Sequence, residues 1–229
     1  MVWGAIASLA SSVVSTVGSI AGSVSSAFST AVGKVGPMIG KAFSATVDVL
    51  KKMPNGIGEI VNAVESVGKI FGVFNQGENV QDMGDRVLQG AEIGLVREKY
   101  DSFDAYREDL RNIELNDEFT ESTSNLEKQI AGSAFGVAGL AEKWDVEPST
   151  VGGVLNISAM APDFFNADRI EKYLNTVDAG SLVRFAEGGL SPDEKQFVED
   201  KLVSADMASM PNSSLDDVCQ RLYDAIEGD

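Results

Sequence analysis

The sequence predicts an all-α protein, and three observations carry that prediction. Apolar residues recur at steps of three and four along most of the chain, which is the spacing of one helix face. Helix-start signatures punctuate it. The best is Ser191-Pro192-Asp193-Glu194, in which serine caps, proline suits the first turn and glutamate completes a capping box. No run of alternating β-branched residues is bounded by hairpin turns.

The first element is a long amphipathic helix. Val13, Val17, Ile20, Val24, Ala27, Ala31, Val35, Met38 and Ala42 follow the α-helical period, separated mostly by Ser, Thr, Gly and Ala. Gly33, Gly36 and Pro37 are expected to break or kink it. Its propensity is poor, because Val, Ser, Thr and Gly each cost several tenths to about 1 kcal/mol relative to Ala. Such a helix needs a partner surface. Three Gly-x-x-x-Gly pairs, Gly18/Gly22, Gly36/Gly40 and Gly68/Gly72, suggest close backbone approach. After the turn Met53-Pro54-Asn55-Gly56, a second stripe of Ile57, Ile60, Val64, Val67, Phe71 and Phe74 makes a heptad-like seam closed by Asn75-Gln76-Gly77.

From residue 78 the chain has the composition of an ordinary helical domain. Asn79 with Asp82 starts a helix carrying Val87, Leu88, Ile93 and Val96. Phe103, Tyr106, Leu110 and Ile113 form the next stripe. Residues 120–144 are expected to be helical, with Gly132, Gly136 and Gly139 marking close packing, and Trp144 is assigned to the core. Pro148, Gly152-Gly153 and Pro162 punctuate the stretch beyond Trp144. The helix after Ser191 is expected to bury Phe197, Val198 and Leu202. A last one, capped by Ser213 or Ser214, runs to about Gly228 and carries Cys219 as a small core residue.

Charge divides the chain in the same place. The whole carries a net −17. Residues 1–77 hold five basic and three acidic side chains, and residues 78–229 hold the other 13 basic and 32 acidic ones, so the parts carry +2 and −19. The expected organisation is a low-charge assembly segment, 1–77, and an acidic helical domain, 78–229, that folds by itself. The acidic part repels phosphates, so sequence-specific nucleic-acid binding is not expected. The first charged side chain is Lys34. The stretch before it lacks the basic start of a secretory signal and the apolar density of a spanning helix.

No catalytic, metal-ligating or cofactor-binding residue is indicated. The chain has no histidine and one cysteine, which removes the commonest general base and the Ser-His and Cys-His pairs. Phosphate-binding, dinucleotide and calcium-loop motifs are absent from the sequence. Adjacent acids such as Asp216-Asp217 and Glu108-Asp109 point in different directions on a helix and read as charged faces. An enzyme using carboxylates has only their abundance in its favour. Trp3 is a candidate anchor in a partner's pocket.

The run Ala5 to Phe74, containing Ser-Ile-Ala-Gly-Ser-Val-Ser-Ser-Ala-Phe-Ser-Thr-Ala-Val-Gly-Lys-Val-Gly at 19–36, resembles parts of bacteriophage tail and virion-internal proteins in composition. The resemblance implies a non-enzymatic virion component: a tape-measure, baseplate-hub or ejected internal protein. Its expected partners are copies of itself and other virion structural proteins. The expected interface comprises Trp3, Val13, Val17, Gly18, Ile20, Gly22 and Val24, and the residues of the second stripe with Gly68 and Gly72. The alternative is a membrane-active, pore-forming or membrane-penetrating protein, membrane-associated or secreted, with transient membrane contact.

Overall fold

The sequence Ile130-Ala-Gly-Ser-Ala-Phe-Gly-Val-Ala-Gly-Leu-Ala141 is apolar or small all the way round a helix, which is the signature of a helix with no solvent face. In the computed structural model this helix is the axis of the molecule, and every residue from 130 to 141 is buried. The structure describes residues 2–53, 56–209 and 213–227, the side chains of 2–9, 21, 209 and 227 excepted. Among them are thirteen α-helices, one 3₁₀ turn at Arg97–Lys99 and no strand. In order, they are α1 (Val2–Ala21), α2 (Ser26–Val32), α3 (Gly36–Lys52), α4 (Ile57–Ile70), α5 (Val80–Glu92), α6 (Phe103–Asn112) and α7 (Asp117–Ser122). Then come the axial α8 (Asn125–Trp144), α9 (Pro148–Met160), α10 (Ala167–Leu174), α11 (Ala179–Ala186), α12 (Pro192–Ser209) and α13 (Leu215–Glu227). The expected all-α class is the observed one.

Helices α3, α4, α5 and α9 pack around α8. Small residues set how close they come. A Cβ on Gly132 would sit 1.7 Å from the Val80 carbonyl oxygen, and one on Gly84 would sit 1.8 Å from that of Lys128. The backbones of α5 and α8 therefore touch. Gly136 accepts Val64 and the Phe74 ring, and Gly139 accepts Phe103 and Val73. The close packing expected at these three glycines is present, and the neighbours are helices and loops of the same chain.

The boundary expected at residue 77 does not separate two cores. Val13, Phe28, Ile39, Phe43, Val64 and Phe74 from the first part share one buried cluster with Leu88, Tyr106, Phe135, Val154 and Leu182 from the second. The physical reason is that α8 presents apolar surface in every direction and the residues after 77 cover only part of it. The surface on which the opening third packs belongs to its own chain. Charge follows the same logic. Lys34 pairs with Glu92 at 2.6 Å, Lys41 with Glu147 at 3.2 Å and Lys52 with Glu187 at 3.3 Å, joining the slightly basic part to the acidic one. These pairs are solvated, so each contributes at most about 1 kcal/mol and serves mainly to match the two surfaces.

Several local expectations need correction. The first amphipathic run is broken well before Gly33. Gly22 adopts φ +75° after α1, and Ser25 caps α2 by accepting from the Phe28 N–H. The second stripe is not one helix. α4 stops at Ile70, Gly72 takes φ +68°, and the chain folds back so that the Phe74 ring lies over Gly68. The expected turn residues Pro54 and Asn55 lie outside the described residues. Pro148 opens α9, and Gly152-Gly153 lie inside it, because Gly153 faces Val183 of α11 at a distance no side chain allows. Val198 and Leu202 are buried, whereas Phe197 is 59% exposed. Phe197 lies on the outer side of α12, where the Lys201 ammonium sits over its ring.

Candidate interaction sites

The stripe expected to mediate assembly is spent inside the molecule. Val13 and Val17 are fully buried where α1 crosses α3, and Ile20 and Val24 are half-buried against the same core. Ile60, Val64, Val67 and Phe74 are buried, while Ile57 and Phe71 are half-buried, with Phe71 meeting Trp144 edge-on at 5.2 Å. Trp144 is thus packed on the core as expected, although its indole N–H is buried with no acceptor among the described residues. The Gly-x-x-x-Gly pairs do not dock helices. Gly22, Gly36 and Gly72 all have positive φ and serve turns, and among the described residues Gly18 meets only Val24 and Gly40 has open space. Gly68 makes a tight contact, but with the Phe74 ring a few residues on. The Trp3 side chain lies outside the described residues.

What α1 leaves outward is different. Ser12, Ser15 and Ser19, spaced three and four apart, are exposed on the face opposite Val13 and Val17. Continuing along the chain, Gly22, Ser23, Ser26 and Thr30 are also exposed. No charged side chain lies among them, because none precedes Lys34. It is an uncharged polar strip on an acidic molecule.

Buried polar groups tie the elements together. Glu127 is 1% exposed and accepts from the Ser25 N–H at 2.6 Å, the Ser124 N–H at 2.7 Å and the Ser124 hydroxyl at 2.9 Å. One carboxylate thus closes the capping box of α8 and anchors the α1–α2 turn to it. At the other end of the molecule, the Asp206 carboxylate accepts from the Tyr173 hydroxyl at 2.7 Å and the Arg169 guanidinium at 3.0 Å. Burial first, and then the Asp206 bond and charge, push the Tyr173 phenol well above its ordinary range, so it stays a neutral donor. Cys219 is half-buried. Burial and the nearby Glu199, Asp216 and Asp200 charges raise its thiol pKa, which disfavours the reactive thiolate.

Several surface grooves have lining of mixed character. One, of about 660 Å³, runs between α3, α9 and α11 and is lined by Val49, Val183, Lys52, Arg184, Asp48 and Glu187. A second, of about 490 Å³, lies between α5 and α7. Another, of about 430 Å³, lies beside α13 at the exposed Met160. Among the described residues, no group of three or more carboxylate or thiol side chains converges so as to hold a metal ion. Sequence reasoning missed the α5–α7 groove. Ile93, expected on the apolar stripe of the helix that starts at Asn79, instead lies just past its end at Glu92 and is exposed at this groove.

No protein-family model matches the chain, and neither a curated protein nor a solved structure matches it.

Proposed function

We propose that this protein is a non-enzymatic structural component of a virion that assembles with copies of itself through the outer face of α1. The observation that carries this reading is the uncharged strip of Ser12, Ser15 and Ser19 on a molecule of net charge −17. Like-charged copies repel over most of their surface, and repulsion is least where neither copy carries charge. The face is also narrow and built of small side chains, which suits close helix-on-helix contact. The compositional resemblance of residues 5–74 to tail and virion-internal proteins supports the virion setting. Other virion structural proteins would be its further partners.

Membrane contact is the competing reading of the same face. Among the described residues no helix is long and apolar enough to cross a membrane. Helices that lie in the interface usually carry Lys or Arg on the polar face, and α1 carries neither.

Sedimentation equilibrium of the full chain and of Ser15→Glu/Ser19→Glu tests the proposal. The wild type is expected to be a stable oligomer and the variant a monomer with the same helical circular dichroism. A wild type that stays monomeric at high concentration, or vesicle flotation that responds to the two substitutions while oligomeric state does not, removes it.

A further inference from the structure

The groove between α5 and α7 has an apolar floor and an acidic rim. Ile93, Ile113 and Phe119 supply the floor, and Ile93 is 68% exposed, the most exposed large apolar side chain described. Glu92, Glu114 and Glu118 supply the rim. Residues 113–122 contain four acids and no basic residue. Lys34 already neutralises Glu92 on the rim, while the other nearby cations are engaged elsewhere: Arg111 is held by Glu78 and Glu108, and Arg86 donates to the carbonyls of Leu110, Arg111 and Ile113. Glu114 and Glu118 have no ion-pair partner among the described residues. The second oxygen of Glu92, Oε1, is out of water and has no donor among the described residues.

The wall of this groove is held more firmly than its own packing explains. α7 has six residues and buries none of them. A helix that short has no intrinsic stability. It is fixed by a buried polar network reaching up from α5 and α8. Asp85 accepts from the Thr120 hydroxyl at 2.8 Å and from the Gln89 side-chain amide at 2.9 Å, and Gln89 in turn accepts from the Asn116 N–H at 2.7 Å. The buried Lys128 ammonium donates to the Thr120 carbonyl at 2.7 Å and lies 3.6 Å from Asp85. Drawing a lysine and an aspartate out of water contributes little net stability, and what it does secure is position.

We infer that this groove is a docking site for a basic, amphipathic segment of a partner protein. An apolar side chain of that segment enters over Ile93 and Phe119, and flanking Lys or Arg residues meet Glu114 and Glu118. The cavity has room for one or two side chains rather than for a domain. An acidic segment is repelled, and nucleic-acid phosphates are repelled for the same reason. No described residue of α1 lines the site, which stands or falls independently of self-assembly.

The test measures fluorescence anisotropy of a labelled helical peptide of leucine and lysine, added to the full chain at low and moderate salt. Ile93→Ser and, separately, Glu114→Gln/Glu118→Gln are expected to weaken binding about tenfold each. A remote neutralisation of equal size, Glu171→Gln/Asp200→Asn, is expected to change it less than about twofold. The inference is overturned if the wild type does not bind. It is equally overturned if the remote pair weakens binding as much as the rim pair, since that reports only diffuse charge, or if Ile93→Ser has no effect. Both groove variants alter exposed side chains, and unchanged circular dichroism verifies that they fold.

Discussion

Gly40 and Gly132 are chemically identical and physically opposite. Gly40 lies inside α3 with nothing near the position of a Cβ, whereas a Cβ on Gly132 would enter the Val80 carbonyl oxygen. Gly40→Ala is therefore expected to stabilise the protein by about 0.5–1 kcal/mol, through lower backbone entropy in the unfolded chain. Gly132→Ala is expected to destabilise it by about 3 kcal/mol, because α5 must move off α8. Urea unfolding of the two variants checks both signs. The spacing of glycines did not make this distinction legible. Gly36/Gly40 and Gly132/Gly136 are both four-residue pairs, but Gly36 has φ +82° and turns the chain against Glu98, whose carboxylate accepts from the Met38 N–H at 2.7 Å. Backbone sign and neighbouring surface are set by what lies across the contact, and a one-dimensional pattern does not contain that.

Among the helices, the starts at Asn79 and Ser214 were legible, whereas the helix expected from residue 120 begins only at Asn125, after α7 and a break at Thr123. Asn79, Ser102, Ser124 and Ser214 each cap a helix by accepting a backbone N–H three residues on. That is local chemistry, encoded within four residues. The loop before α5 shows how tertiary contacts add to it. Glu78 accepts from its own Asn75 N–H at 2.7 Å and from both nitrogens of the Arg111 fork on α6, at 2.6 and 2.7 Å. Burial pushes the Glu78 carboxyl up. The Arg111 and Asn75 bonds, with the charges of Arg111 and Arg107, outweigh it and hold the group below its ordinary 4.5. Its folded-state pKa is depressed, so its stabilising contribution is present above the unfolded value and is lost as pH falls below about 4.5 towards the folded one. Denaturant midpoints of wild type and Glu78→Gln are thus expected to differ at neutral pH and to converge on acidification. A constant difference down to the acid limit would contradict the assignment.

For the molecule as a whole, the decisive fact is the shared core. Without residues 1–77, α8 would expose the surfaces that α3, α4 and Phe74 cover. A chain of residues 78–229 is expected to lack a cooperative thermal transition and to bind an apolar dye. Calorimetry and dye fluorescence measure both, and a sharp two-state transition with full helicity would show that the acidic part folds alone. The all-α class, the caps at Asn79 and Ser214 and the close packing at Gly132, Gly136 and Gly139 were readable from the chain alone, because period, capping chemistry and side-chain size are short-range properties. The surface on which the opening third packs, the division of glycines into contacts and turns, and the position of the α5–α7 groove came only from the assembled fold. Each depends on surfaces brought together from distant parts of the chain, such as Ser25 and Glu127, and short-range patterns do not specify such pairings.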